Sequence, residues 1–187
     1  METTRRYLLA TAALATCGLL GRVGTANAAS ARQIDSEAER ALNQLYAVQP
    51  RARNLAKAAK AILVFPRIYK GGLLIGGLTG DGVLRIAGKP AGYYNISAAS
   101  FGLQAGGQKY SFALFFMTDA ALSYLSKSDG WAIGSGPSVV VLDKGAAANV
   151  TSTTLTQDVY AIPFGQKGLM AGVGLEGSKI TRIQPGK

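Results

Sequence analysis

Four basic side chains, Arg51, Arg53, Lys57 and Lys60, crowd into residues 51–60 with no acid among them. At about 100° per residue, Ala52, Leu55, Ala56 and Ala59 fall on one face of a helix, while Arg53, Lys57 and Lys60 gather on an adjoining face. A one-signed amphipathic helix of this kind is built to lie against an anionic surface. Each basic group near a charged lipid surface contributes about 1 kcal/mol, so the cluster suffices for weak, salt-sensitive docking and not for permanent anchorage. The competing reading is a solvated helix face, the usual fate of a charge run. Arg67 and Lys70 form a looser second candidate beside Gly71-Gly72, where exposed backbone N–H groups could cradle an anion. The same dipeptide also reads as an ordinary glycine turn.

Other chemistries are closed off by composition. The chain has no histidine and a single cysteine, Cys17, near its start. That excludes a Ser-His-Asp triad, a Cys-His dyad, a Cys/His zinc site and a structural disulfide. No metal and no cofactor are expected. Asp81, Asp119, Asp129, Asp143, Asp158 and Glu176 could in principle supply an acid and base pair to a glycan hydrolase, but most stand where Asp is useful at turns and caps. Gly172-Val173-Gly174-Leu175-Glu176-Gly177 spells the dinucleotide fingerprint. The ten residues after it are strand-like, so no helix N-terminus is available to hold a pyrophosphate. The aromatics Tyr93, Tyr94, Phe101, Tyr110, Phe112, Phe115 and Phe116 could stack nucleic-acid bases. Their alternation along strands favours sheet packing instead, and no nucleic-acid partner is expected.

The first residues read as an address. Arg5 and Arg6 precede an apolar run over residues 8–20, too short for the roughly twenty residues that span a bilayer, and Ala26-Asn27-Ala28 supplies the small-x-small pattern of a cleavage site. Residues 1–28 are therefore read as a signal peptide cut between Ala28 and Ala29, with a single domain over 29–187. The pair Arg5-Arg6 resembles the twin-arginine export signature. Leu14-Ala15-Thr16-Cys17 gives a competing address, a lipobox acylated at Cys17. The expected location is the periplasm or cell envelope. Cleavage removes Arg5, Arg6, Arg22 and Glu2, which lowers the net charge from +10 to +8. A strongly cationic chain still calls for an anionic partner.

The elements that must hold the basic residues can be read from periodicity. Ile34, Ala38, Ala41, Leu42 and Leu45 mark one stripe of a helix over residues 30–48, with Ser30 and Gln33 spaced as a capping box. Pro50 opens a second helix that should end near Lys60. From Ala61 onward the pattern is β. Ile62–Phe65 should stop at Pro66, and two runs, 73–75 and 83–86, flank Gly80-Asp81-Gly82 as a hairpin. Further strands are expected at Tyr93–Leu103 and Tyr110–Phe116, joined through Gly106-Gly107-Gln108. A helix capped by Thr118 comes next, then short strands at Ser138–Asp143, Val159–Phe164, Leu169–Val173 and Ile180–Ile183. Glycines inside so many strand-like runs imply sharp curvature. The expected fold is α+β: N-terminal helices packed on a strongly curved, barrel-like antiparallel sheet with one inserted helix.

Several ordered motifs resemble one family. Ala61-Ile62-Leu63-Val64-Phe65-Pro66, Lys70-Gly71-Gly72 and Ile75-Gly76-Gly77 look like the opening of the SYLF domain. Ser100-Phe101-Gly102-Leu103-Gln104-Ala105-Gly106-Gly107-Gln108 is similar to its glycine-rich middle, Gly134-Ser135-Gly136-Pro137 to its Gly-Pro turn, and residues 168–178 to its C-terminal signature. Coverage runs from about Asp35 to Ile183. Tyr93 and Tyr94 stand where a tryptophan is usual, and Pro163-Phe164 interrupts a usually Ser-rich approach. The resemblance implies a non-enzymatic, peripheral lipid-binding domain, whose eukaryotic members favour phosphoinositides and whose fungal members in some cases bind actin. Together the readings point to an exported protein that docks on anionic membrane lipid through Arg51, Arg53, Lys57 and Lys60, with Arg67 and Lys70 nearby. The alternatives are a structural or partner-binding envelope protein, its partner unspecified, and a carboxylate-dependent periplasmic glycan hydrolase.

Overall fold

The computed structural model describes residues 29–72, 75–101, 106–142, 155–168 and 177–186. Residues 1–28, read as a signal peptide and including Cys17, the strand expected over residues 169–173, and both Asp143 and Glu176 lie outside the described residues.

Helix α1 spans Ala31–Val48 and buries Ile34, Ala38, Ala41, Leu42 and Leu45, the expected stripe. The Ser30 hydroxyl accepts from the Gln33 amide at 3.3 Å, but the Gln33 side chain turns forward to Glu37 instead of closing the box. Helix α2 spans Ala52–Ala58 and stops short of Lys60. Its seven residues are too few to be stable alone, so packing of Ala52 and Leu55 holds it in place.

Eight strands follow: β1 (Ala61–Gly72), β2 (Ile75–Ile86), β3 (Lys89–Phe101), β4 (Gly106–Phe116), β5 (Trp131–Ala132), β6 (Val139–Val141), β7 (Val159–Gly168) and β8 (Lys179–Ile183). Helix α3 (Asp119–Lys127), capped by the Thr118 hydroxyl, lies between β4 and β5. The strands form one strongly curled half-barrel sheet in the order β5-β8-β3-β2-β1-β4-β7-β6. The fold is thus α+β, with N-terminal helices and one inserted helix. One pairing departs from the antiparallel expectation, because β6 runs parallel to β7. Nor are β3 and β4 neighbours: β2 and β1 stand between them.

The hairpin expected around Gly80-Asp81-Gly82 is corrected. Those residues lie inside β2, paired with Ile96, Asn95 and Tyr94 of β3. The glycines are required there by close approach. A Cβ on Gly82 would stand 2.5 Å from the Val64 carbonyl oxygen and 2.6 Å from a Phe65 ring carbon, and one on Gly80 would meet the Arg67 carbonyl. Opposite them β1 changes register between Val64 and Tyr69, and against β4 between Phe65 and Ile68, so Pro66 sits in an irregularity of the strand and does not end it. The Ser111 hydroxyl donates to the Pro66 carbonyl at 2.8 Å. The actual two-residue turn is Ala87-Gly88, both at positive φ, joining β2 to β3.

The sheet carries a core on each face. On one, α1 and α2 cover Val64, Val83, Ala113, Phe115, Ile162 and Phe164. On the other, Leu63, Phe65, Ile68, Phe112 and Phe116 pack with Ala121 and Leu125 of α3 and with Trp131. The Trp131 indole donates to the Ser135 carbonyl at 2.9 Å and its ring centroid lies 5.9 Å from that of Phe116. Among the described residues no helix is long and apolar enough to cross a membrane.

Candidate functional site

Helix α2 presents the basic cluster as the alternation of its residues dictates. Ala52 and Leu55 face the core, Ala56 and Ala59 pack against it, and Arg51, Arg53, Lys57 and Lys60 are all exposed. Lys57 in the last turn also complements the negative end of the helix dipole. Arg53 is not loose: its guanidinium lies 5.1 Å from the centre of the Tyr46 ring on α1, a cation–π contact that orients it. Lys60, just beyond the helix, is fixed by its amide on the Phe116 carbonyl at 2.8 Å, and its ammonium pairs with Asp119 at 3.4 Å.

Between α1, the end of α2 and the β2–β3 turn is a groove of about 290 Å³, lined among others by Glu39, Asn43, Tyr46, Lys60 and Arg85. Arg85, distant in sequence from residues 51–60, lies in the same lining and is anchored to the backbone. Its Nε and Nη2 both donate to the Gly88 carbonyl, at 3.1 and 2.7 Å. Burial pushes the Tyr46 hydroxyl above its usual pKa, while the charges of Arg53 and Arg85 pull the other way. That opposition places both guanidiniums within electrostatic reach of the phenol. Arg53, Lys60 and Arg85 thus border the groove together, with Glu39 in its lining and Asp119 paired to Lys60 as nearby acids.

Arg67 and Lys70 do not join it. Arg67 is ion-paired to Glu37 of α1 at 2.6 Å, with the two side chains 35% and 15% exposed, so its charge is already engaged. Lys70 stands opposite Leu78 and Gln108 in the ladder, on the α3 side of the sheet. Gly71 and Gly72 are strand residues between β2 and β4, not a loop nest.

Among the described residues, Asp81, Asp119 and Asp158 each have a structural partner. Asp81 accepts from the Asn95 side chain at 2.8 Å. Asp158 takes the Ser138 amide and hydroxyl at 3.1 and 3.0 Å and the Thr118 hydroxyl at 3.2 Å, which ties α3, β6 and β7 together. The Ser138 amide and hydroxyl hold its pKa below the usual carboxylate range. Of the aromatics weighed as stacking platforms, Tyr94, Tyr110, Phe112, Phe115 and Phe116 are core, and Tyr93 donates to Asp35 at 3.0 Å. Among the described residues no group of three or more His, Cys, Asp or Glu side chains is placed to hold a metal ion.

Residues 97–184 match the Ysc84 family, described as Las17-binding protein actin regulator. The match is consistent with a member of the SYLF domain family. The matched stretch takes in the end of β3 and everything from β4 to β8, including α3. The SYLF family is in general one of non-enzymatic binding domains, and similarity to it supports a lipid- or actin-related binding role. No curated protein matches the chain.

Proposed function

We propose that this SYLF-like domain docks peripherally on anionic lipid surfaces through the exposed face of α2 and the adjoining groove. The observation that carries the reading is that Lys60 and Arg85 line the groove and Arg53 stacks on its Tyr46, beside the exposed Arg51 and Lys57 of α2, with Ala52 and Leu55 turned inward. Groups of that kind lower the energy of a negatively charged headgroup without chemistry, so no turnover is required. In the same reading residues 1–28 direct export and are removed before Ala29, the mature domain is 29–187, and it works in the periplasm or envelope; acylation at Cys17 is the alternative address. Sedimentation with vesicles of rising phosphatidylglycerol content tests the docking. Binding should increase with anionic fraction, weaken with salt as exposed charges are screened, and be slight on neutral phosphatidylcholine. Equal binding to neutral and anionic vesicles would refute it.

A further inference from the structure

Helix α1 covers one end of its sheet face, and among the described residues nothing covers the glycine-rich end. Register partners in an antiparallel ladder share a face, so the pairings define what lies on that end. Lys179 pairs with Ser97, Ser97 with Thr79, Thr79 with Tyr69, Tyr69 with Lys109 and Lys109 with Lys167. All six residues are exposed. They form a single row crossing six strands, about 24 Å long at the usual strand spacing. Three are lysines, none of them ion-paired among the described residues, and no acid interrupts the row. Two carboxylates border the row on its α1 side: Asp81, one row closer to α1 and bonded to Asn95, and Glu37 of α1, paired with Arg67.

Two further features shape the surface. Beyond the row, Gly71, Gly77, Gly107 and Ala99 come next in register, a strip with almost no side chains, and above Gly107 nothing lies within 4 Å of where a Cβ would stand. On the other side rises α1, and a helix with its side chains is about 10 Å across. The row is therefore the floor of a step, recessed below the helices. A narrow chain lying across the strands meets all three lysines of the row.

We propose that this step is a binding trough for an acidic polysaccharide. The lysines meet acidic groups on the chain. The hydroxyls of Ser97, Thr79 and Tyr69, interleaved between them, meet sugar hydroxyls. Tyr69, 52% exposed with Lys109 poised 5.6 Å over its ring, gives a lone aromatic contact and not the succession of platforms that stacked bases need.

The test is binding of the full chain to a heparin dodecasaccharide, with neutral dextran and a twenty-nucleotide oligothymidylate as comparisons. Lys109→Gln, Lys167→Gln and Lys179→Gln together should weaken heparin binding by roughly tenfold, as three exposed ion pairs would. Gly107→Glu, placed where a side chain has room, should weaken it as well. Arg53→Gln with Lys57→Gln should leave it unchanged, which separates this trough from the lipid-docking face. Circular dichroism melts verify that each variant is folded. The proposal is overturned if wild type ignores heparin, if the sheet variants bind it as wild type does, or if the α2 variant accounts for the loss. Oligothymidylate bound as tightly as heparin would overturn the assignment to a polysaccharide.

Discussion

Replacing Arg53, Lys57 and Lys60 by glutamine separates charge from fold. Glutamine keeps good helix propensity, and Ala52 and Leu55 still pack. Two contacts are lost. The Lys60–Asp119 pair joins side chains 52% and 81% exposed, so it contributes at most about 1 kcal/mol. The Arg53–Tyr46 contact is worth about 0.5–1 kcal/mol at such a site. The variant should therefore unfold within about 2 kcal/mol of wild type. Membrane affinity should change more in proportion. Arg53 and Lys57 each contribute about 1 kcal/mol against an anionic surface, and Lys60 less because Asp119 already shares its charge. A loss of about 2 kcal/mol weakens binding roughly thirtyfold. Vesicle sedimentation with phosphatidylglycerol-containing liposomes, run beside chemical denaturation, reads both quantities on the same samples. Unchanged vesicle binding by a folded triple variant would show that α2 is only a solvated face.

Gly82→Ala should destabilise by about 2–3 kcal/mol, because its Cβ would collide with the Val64 carbonyl and the Phe65 ring, whereas Gly107→Ala should be nearly neutral; paired denaturation curves check the contrast. Ala87→Asn should raise stability by about 0.5–1 kcal/mol, since Ala87 sits at φ 50° in the Ala87-Gly88 turn, where asparagine is better tolerated, and a rise in melting temperature is the readout. The depressed pKa of Asp158 means that its network stabilises the fold above the ordinary carboxylate pKa of about 4 and is lost as pH falls through the lower folded value. Asp158→Asn should accordingly lower stability at neutral pH and flatten the acid limb of a stability-versus-pH curve; an unaltered acid limb would contradict the role given to Ser138 and Thr118.

Local signals survived into the structure wherever local physics decides. The Ser30 cap, the α1 stripe, the Thr118 cap and the basic face of α2 depend on residues within a turn or two of one another, and each was legible. Glycine and proline misled at one place, because the same residue types serve two purposes. Gly80-Asp81-Gly82 has the composition of a turn, and Pro66 that of a strand end. Here the glycines leave room for an irregularity in the neighbouring strand, and the proline occupies it. Nothing in the run of residues around Gly82 says which partner backbone will approach. The site divided in the same way. Arg51, Arg53, Lys57 and Lys60 were visible as a cluster, while Arg85 reaches the groove only because β2 ends beside α2. Arg67 looked free until α1 laid Glu37 against it. The lysine row is a product of register alone, its members drawn from β4, β7 and β8.

The strand order also dictates when the fold can be completed. β1, β2 and β3 are joined by short connections, and β4 returns to the free side of β1, so residues 61–116 can assemble the sheet's middle by themselves. Both flanks come from the end of the chain: β7 seals β4 and β8 seals β3, where Tyr93 meets Ile183. Until those last strands arrive, a growing chain carries two open, largely apolar edges, the condition in which β proteins pair with the wrong neighbour. Closure is then marked by the bridge of Ser30 to Gly186, which brings the two ends of the described fold together. The segment matched to the family, residues 97–184, contains neither β1 nor β2 and so lacks the centre on which its own strands dock. Expressed alone it should not fold, and a chain shortened before Lys179 should aggregate through the exposed edge of β3.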